Sequence, residues 1–471
     1  MAADFEYALM AGRSYQSTRN KANWFPVAND WPEIEGAHDV TSSGFEATAF
    51  KKLSSSTDEI VISFAGTGSL FNKDWWANFG LTLGNCVQQL CDAAVYYLEM
   101  KELYGNRITF TGHSLGGGIA AILGVLFDVQ STTFDQAPFS NSCCESVRND
   151  LITYLTTPQG GNPDALYSLG YLSFLAPELF SFSNENLTQR EGNVQNIVVD
   201  GEILSTFLVE GLPGHRIGVT EILNHGCTGA GAFSLHDQSL MTLFLMNGKL
   251  RDVSMDMNDL VDMMNDSQLF YHDPNDTDSS DENFSERLIR HQLGVNVPGE
   301  PSVTADDMLT RFTNDLYKIC AQGGLTMATE AMQKTLTAFA MQKYYIEQPG
   351  STQELFNEEG ITEGGGLHFK MSDVAPTLAQ AKGYNLYFDT YLNTWQPEEK
   401  AAALIELPGT EDWYVQAGVP ALKSTAGNDR ACMIGGDKAD ELTGGGANDV
   451  LYGGKGQDRM VVESMKSFLS A

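Results

Sequence analysis

Apolar and polar positions along the chain fall into three regimes. Up to about residue 250, short apolar runs of strand length alternate with stretches of helical spacing. Phe45–Leu53 and Glu59–Phe64 predict strands joined by a Ser-rich turn, and residues 86–103 an amphipathic helix. Arg107–Thr111 predicts a buried strand, Leu115–Asp128 an apolar helix, and Thr132–Phe134 and Gln195–Val199 further strands. Another helix opens near His236. Such alternation implies a mostly parallel sheet flanked by helices, the α/β class. From 251 to 422 the pattern turns mainly helical and irregular. An acidic run there, Asp273–Glu282, lacks the central glycine and final glutamate of an EF-hand and predicts a solvated connector.

Residues 423–471 follow a different period. Gly435-Gly-Asp-Lys-Ala-Asp440, Gly444-Gly-Gly-Ala-Asn-Asp449 and Gly453-Gly-Lys-Gly-Gln-Asp458 each lead into a short apolar run in nine-residue register. This is the repeat of calcium-binding parallel β-rolls, in which glycine turns expose carbonyl oxygens beside the Asp carboxylate. Lys438 and Ala447 replace the fourth-position glycine in two copies, and Ala426-Gly-Asn-Asp429-Arg430 forms a degenerate half-turn upstream. Asp440 and Asp458 are expected to share one calcium ion, with Asp449 and Asp429 serving the other edge. Leu442, Leu451 and Met460 are expected to point into the roll.

The balance of 28 Lys+Arg against 61 Asp+Glu gives a formal charge of −33 across 471 residues. Nucleic-acid binding needs a basic footprint and is excluded as an expectation. Docking on strongly anionic membranes would need a bridging cation. The first residues show no basic and apolar leader, and no run of apolar residues is long enough to span a bilayer. The seven cysteines follow no metal or redox spacing and predict ordinary thiols.

The strand–helix junction carries the chemistry. Gly112-His-Ser114-Leu-Gly116 lies between an apolar strand and an apolar helix, the setting of a nucleophile elbow. A serine there stands at the carboxyl edge of the sheet, beside first-turn N–H groups that can hold an oxyanion. Upstream, Ile60–Phe64 runs into Ala65-Gly66-Thr67, which places the Thr67 N–H opposite that of Leu115 as the second oxyanion donor. An elbow of this order requires its base later in sequence, which excludes His38 and His113; His215, His225 and His236 are the candidates, with His272, His291 and His368 too far into the helical region to favour. His113 is then an elbow-supporting residue.

Four fragments in order carry a resemblance: Phe64-Ala-Gly-Thr67, Asp74-Trp-Trp-Ala-Asn78, Gly112-His-Ser-Leu-Gly-Gly117 and Thr133-Phe-Asp-Gln-Ala-Pro138. They resemble the class 3 (fungal-type) lipases, a family that includes bacterial phospholipases A1. The whole chain is similar to bacterial lipase-like proteins with C-terminal RTX repeats. The resemblance implies an α/β-hydrolase domain over 1–250, a mainly helical region over 251–422 and a short parallel β-roll over 423–471. It places the histidine just before an apolar helix, at His236. The acid falls within Val198-Val-Asp200-Gly-Glu202-Ile-Leu204, at Glu202 if aligned on Ile-Leu and at Asp200 if judged by the strand end. Ala65 stands where the family carries arginine.

The function implied is hydrolysis of lipid or phospholipid esters, either as a phospholipase A1 or as a triacylglycerol lipase. Calcium would be structural, contact with a lipid interface transient, and export through an uncleaved C-terminal signal. The other reading is a non-catalytic calcium-dependent adhesion module on an inactive scaffold. Two apolar stretches, Leu70–Phe79 and Leu166–Phe180, are candidates to meet lipid.

Overall fold

The computed structural model describes residues 2–19, 24–53, 59–66, 83–158, 165–205, 215–223, 234–256, 283–295 and 306–321. Tyr345, Glu354 and short segments between 367 and 470 complete the described set. Helix α1 (Asp4–Arg13) precedes strands β1 (Asp39–Val40), β2 (Glu46–Lys51) and β3 (Ile60–Phe64). Then come α2 (Leu83–Tyr104), β4 (Ile108–His113), α3 (Leu115–Phe127), β5 (Ser131–Phe134), α4 (Glu145–Thr156) and α5 (Leu169–Leu175). Two more strands, β6 (Val194–Val199) and β7 (Val219–Leu223), complete a seven-stranded sheet in sequential order. β1, β2 and β3 pair antiparallel, and β3 through β7 pair parallel.

Sequential order has a consequence for layering. Each parallel strand is added on the same side of its predecessor, so right-handed crossovers bring α2, α3 and α4 to one face. On that face Tyr97 of α2 meets Phe110 of β4 edge-on at 5.0 Å and Phe127 of α3 at 4.9 Å, while Phe64 of β3 lies 5.6 Å from Phe110. Such pairs add about 0.5–1.5 kcal/mol each beyond area burial. Every residue of α3 is buried, which accounts for its lack of a polar stripe. The other face is covered by α1, where the Tyr7 hydroxyl donates to Thr109 Oγ1 at 3.2 Å and Thr111 Oγ1 donates to the Tyr7 carbonyl at 3.3 Å. Alternation along β4 thus sends Phe110 to one layer, and Thr109, Thr111 and His113 to the other.

Helix α6 (Gln238–Met246) packs beside α1, followed by α7 (Gly248–Asp256), α8 (Phe284–Leu293) and α9 (Met308–Ala321). α8 rests on α6 and α9 on α7. Asn283 and Glu286 form a capping box at the start of α8. Glu286 also takes a two-pronged contact from Arg19 at 2.7 and 2.6 Å. Packing therefore continues across residue 250, where the change of sequence pattern places a boundary.

β8 (Leu367–Lys370) and β9 (Tyr414–Ala417) pair antiparallel. Six three-residue strands follow: β10 (Lys423–Thr425), β11 (Cys432–Ile434), β12 (Glu441–Thr443), β13 (Val450–Tyr452), β14 (Arg459–Val461) and β15 (Phe468–Ser470). They form two parallel sheets, β10-β12-β14 and β11-β13-β15. Ser424 pairs with Leu442 and Leu442 with Met460, while Met433 pairs with Leu451 and Leu451 with Leu469. Each strand skips one repeat to find its partner, as a two-sheet roll requires. The frame extends beyond the three glycine-rich copies in both directions, to β10 and β11 before them and to β15 after them.

Candidate active site

The elbow is built by close backbone approach. Ser114 has φ 57 and ψ −123, in the left-handed half of φ space that a side chain rarely adopts. Its N–H donates to the Phe134 carbonyl at 3.0 Å, and its carbonyl accepts from Ala137 and Gly118. A Cβ on Gly116 would lie 2.0 Å from the Phe64 carbonyl oxygen, and one on Gly112 would lie 2.6 Å from Gly116. Both glycines are therefore demanded by the β3–β4–α3 contact. Leu115 opens the helix, and first-turn N–H groups have no intrahelical acceptor. Thr67, the other expected oxyanion donor, lies outside the described residues, and so does the stretch Leu70–Phe79.

Glu202 follows β6 in a tight turn and is fully buried. Its Oε2 accepts from His236 Nδ1 at 2.8 Å and from the Leu204 N–H at 2.7 Å. Its Oε1 accepts from the Ser205 N–H at 2.6 Å, the Ser205 hydroxyl at 2.7 Å and the Arg216 guanidinium. Burial by itself raises a carboxyl pKa, but the His236 hydrogen bond, the Arg216 charge and the Leu204 N–H outweigh it and bring Glu202 to about 2. Because a carboxylate only accepts, His236 donates from Nδ1 and presents Nε2 as the basic nitrogen. Asp200, the alternative acid, lies at the strand end, where its N–H donates to the Leu223 carbonyl at 3.0 Å. The structure brings Glu202, and not Asp200, into hydrogen bond with His236. His215 is exposed and bonds Ser140, and His225 lies outside the described residues.

His113 packs against His236 with ring centroids 4.6 Å apart and the rings tilted by 43°. Its Nε2 lies 2.9 Å from the His236 carbonyl, so Nε2 carries the proton and donates. Nδ1 is then left to accept from the Tyr15 hydroxyl at 3.0 Å. Burial, followed by the neighbouring His236, holds the His113 pKa well below 6.5, so the ring is neutral. Gly66 lies against the Tyr15 hydroxyl, and a Cβ there would come within 2.4 Å of that oxygen. A chain of contacts thus joins the end of β3 to His236 through Gly66, Tyr15 and His113. It supplies local support next to Ala65.

Arg216 and Tyr15 carried no recognisable sequence signal. Asp135 stood inside a quoted fragment without a role. One ligand atom each from His113, Asp135 and His236 lie within 4.8 Å of one another. Both ring nitrogens of His113 are engaged and Glu202 holds Nδ1 of His236, so this trio is not an open metal site.

The second apolar stretch divides. Leu172, Ala176 and Leu179 are buried, whereas Leu169, Tyr171 and Phe174 are exposed, Phe174 by 80%. This patch lies beside Glu99 and Glu102 near the end of α2. That end leads into the start of β4, opposite the strand edge that carries Ser114.

In the roll, Asp440 and Asp458 immediately precede Glu441 and Arg459, which are register partners. Asp449 precedes Val450, whose partner is Cys432. The residue equivalent to Asp449 one coil earlier is therefore Ala431, and Asp429 falls two positions before it. All four aspartates lie outside the described residues.

Residues 6–153 match the model of the Tle-like phospholipase domain, and residues 433–461 match the model of the RTX calcium-binding nonapeptide repeat. The chain is phospholipase-like in sequence and carries RTX repeats. An extracellular phospholipase A1 from Serratia liquefaciens is 29% identical over 143 residues, covering 29% of this chain and 43% of the relative. The match thus spans less than half the length of that relative. Among solved structures, an esterase from Pyrobaculum calidifontis is 12% identical with a TM-score of 0.22, covering 51% of this chain and 87% of that one. That likeness is too slight to add to the sheet order and the site. Among the described residues of this phospholipase-like chain, no helix is long and apolar enough to cross a membrane.

Proposed function

We propose that the chain is a serine carboxylester hydrolase acting on lipid esters, with Ser114 as nucleophile, His236 as base and Glu202 as orienting acid. The observation that carries this reading is the buried 2.8 Å contact between Glu202 and His236, made in the layer next to the strained Ser114 elbow. Ser114 Oγ attacks the ester carbonyl while His236 Nε2 takes its proton. The oxyanion is held by the N–H groups of Leu115 and Thr67. His236 then returns the proton to the leaving alcohol, and water repeats the cycle on the acyl-enzyme. Glu202 stays ionised throughout, with Arg216 balancing its charge.

The phospholipase-like match favours a phospholipid substrate cleaved in the manner of a phospholipase A1, with triacylglycerol as the other candidate. Residues of the roll fit calcium: Asp440 and Asp458 at equivalent positions on neighbouring coils, and Asp449, with Asp429 less well in register. The ion would supply charge compensation and cross-linking of turns, away from the ester chemistry. The repeats and the extracellular relative support export from the cell.

Ser114→Ala is expected to lower hydrolysis of p-nitrophenyl butyrate by at least about 10³-fold while leaving the melting temperature in place. Activity surviving that change would overturn the assignment and favour a non-catalytic binding role. Release of fatty acid from phosphatidylcholine against trioleoylglycerol, at matched acyl concentration, decides the substrate class.

A further inference from the structure

Asp135 ends β5, one strand from the elbow, and its side chain is fully buried. Its φ of 41 lies in the left-handed region that glycine adopts freely and an aspartate adopts at a cost of about 1–3 kcal/mol. One carboxyl oxygen, Oδ1, accepts from the Val199 N–H at 3.0 Å. The other, Oδ2, is buried with no hydrogen-bond partner among the described residues. An orphaned buried polar atom carries a desolvation penalty and calls for an explanation. A ligand atom of this carboxyl and a ring nitrogen of His236 lie within 4.8 Å of each other.

We propose that Asp135 is a reserve positioning acid of the triad, set to hold His236 in its working tautomer when Glu202 cannot. The inference rests on the Ser114–His236 reading above.

Among the described residues, the ionisable groups close to Asp135 include His113 on β4, Glu202 after β6, Arg216 before β7 and His236 before α6. α3, β5 and β6 present no ionisable side chain toward it. Burial first, and the Glu202 charge second, push the Asp135 pKa well above the ordinary carboxyl value, while Arg216 and the Val199 N–H partly oppose them. Each of two neighbouring carboxyls disfavours ionisation of the other. Glu202 takes the charge because five donors converge on it, and Asp135 keeps its proton.

Removing the charge on Glu202 removes one of the two causes of that upward shift. Asp135 then ionises, giving its proton to bulk water. Arg216 is already next door, since its Nε donates to the Gln136 carbonyl at 2.9 Å. A shift of about 2 Å, within the broad range of an aspartate χ2, closes the gap between this carboxyl and the His236 ring to hydrogen-bond distance. His236 keeps its Nδ1 proton and donates it to the new carboxylate. During catalysis the serine proton still passes to Nε2 and on to the leaving alcohol, so Asp135 gains no proton in the cycle.

The test measures kcat for p-nitrophenyl butyrate across pH 5–10 in Glu202→Gln, Asp135→Asn and the double variant. Asp135→Asn is expected to lower kcat less than about tenfold, Glu202→Gln about 10²-fold, and the double variant about 10⁴-fold, the loss typical of a triad without its acid. Glu202→Gln should also gain a limb on which activity rises with pH, absent from the double variant. The inference is overturned if Glu202→Gln is already as inactive as the double variant, or if its pH profile does not depend on Asp135. Asp135→Gly, which suits the positive φ, repeats the comparison should Asp135→Asn fold poorly. Ser114→Ala in the same assay separates the two claims. Activity that survives it defeats the triad, whereas an inert Ser114→Ala with equal single and double variants defeats Asp135 alone.

Discussion

Five donors converge on the two oxygens of Glu202, and one of them, the Arg216 guanidinium, is a full charge. A buried pair of this kind is costly to break from one side, because the partner is left charged and desolvated. Arg216→Gln is therefore expected to destabilise the protein by about 3–5 kcal/mol. The folded pKa of Glu202, about 2, lies below its ordinary value of 4.5. Its contribution to stability is complete above pH 4.5 and is lost as pH falls toward 2. His113 acts earlier: its lowered pKa means that the unfolded chain binds a proton below pH 6.5 while the folded chain does not, so stability falls from there downward. In Arg216→Gln the Glu202 pKa rises from about 2 toward its ordinary value of 4.5, so its share of the acid loss should become smaller and be complete at a higher pH. Urea melts from pH 2 to 8 check this, and an acid limb unchanged in the variant would refute the coupling. Of these residues, Ser114 was legible in its motif because its neighbours in sequence are its neighbours in space. Glu202 and Asp200 were not separable by spacing, since the difference lies in which side chain turns inward after β6. Arg216, Tyr15 and Asp135 act across strands, through contacts that no local pattern encodes.

At the scale of elements, the alternating pattern of the first half led directly to β2 through β6, α2 and α3, because a buried strand must be apolar on both faces. The edges were less legible. β1 has two exposed residues, and β7 is exposed at four of its five, so neither shows the apolar run of a central strand. The roll is larger than its glycine-rich repeats for a related reason. Pairing fixes a nine-residue step, yet β10 carries Ser424 where its neighbours carry Leu442 and Met460. The close approach of β3, β4 and α3 is the most demanding contact between elements. Gly116→Ala would set a Cβ 2.0 Å from the Phe64 carbonyl oxygen and 2.7 Å from the Ala65 carbonyl carbon, both backbone atoms that cannot swing aside. A loss of about 3 kcal/mol or more is expected, read as a fall in melting temperature of roughly 6–12 °C. Ser114→Ala, which changes no packing between strand and helix, should melt near the parent. If Gly116→Ala melted there too, the elbow would be looser than the contact implies.

Over the whole molecule, a charge of −33 works against compactness, since like charges repel most in the folded state. The repeats concentrate aspartates along the turns between β11 and β14, where self-repulsion opposes the very register that pairs them. Bound calcium would reverse the sign of that term and stabilise by mass action, by about 2.7 kcal/mol at a hundred times its dissociation constant. The hydrolase sheet has no such dependence. Its buried Glu202 is balanced internally by Arg216, and its core closes through α1, α6 and the Arg19–Glu286 pair. Chelation should therefore separate the two halves of the chain's behaviour. With excess EGTA in low-salt buffer, the strand signal of residues 423–470 and a calcium-dependent melting step are expected to disappear. Hydrolysis of p-nitrophenyl butyrate at 25 °C should stay within about twofold of the calcium-loaded value, since the ion acts through folding equilibria and not at the ester. Loss of that activity while the hydrolase domain still melts cooperatively would place calcium in the chemistry and count against a purely structural role.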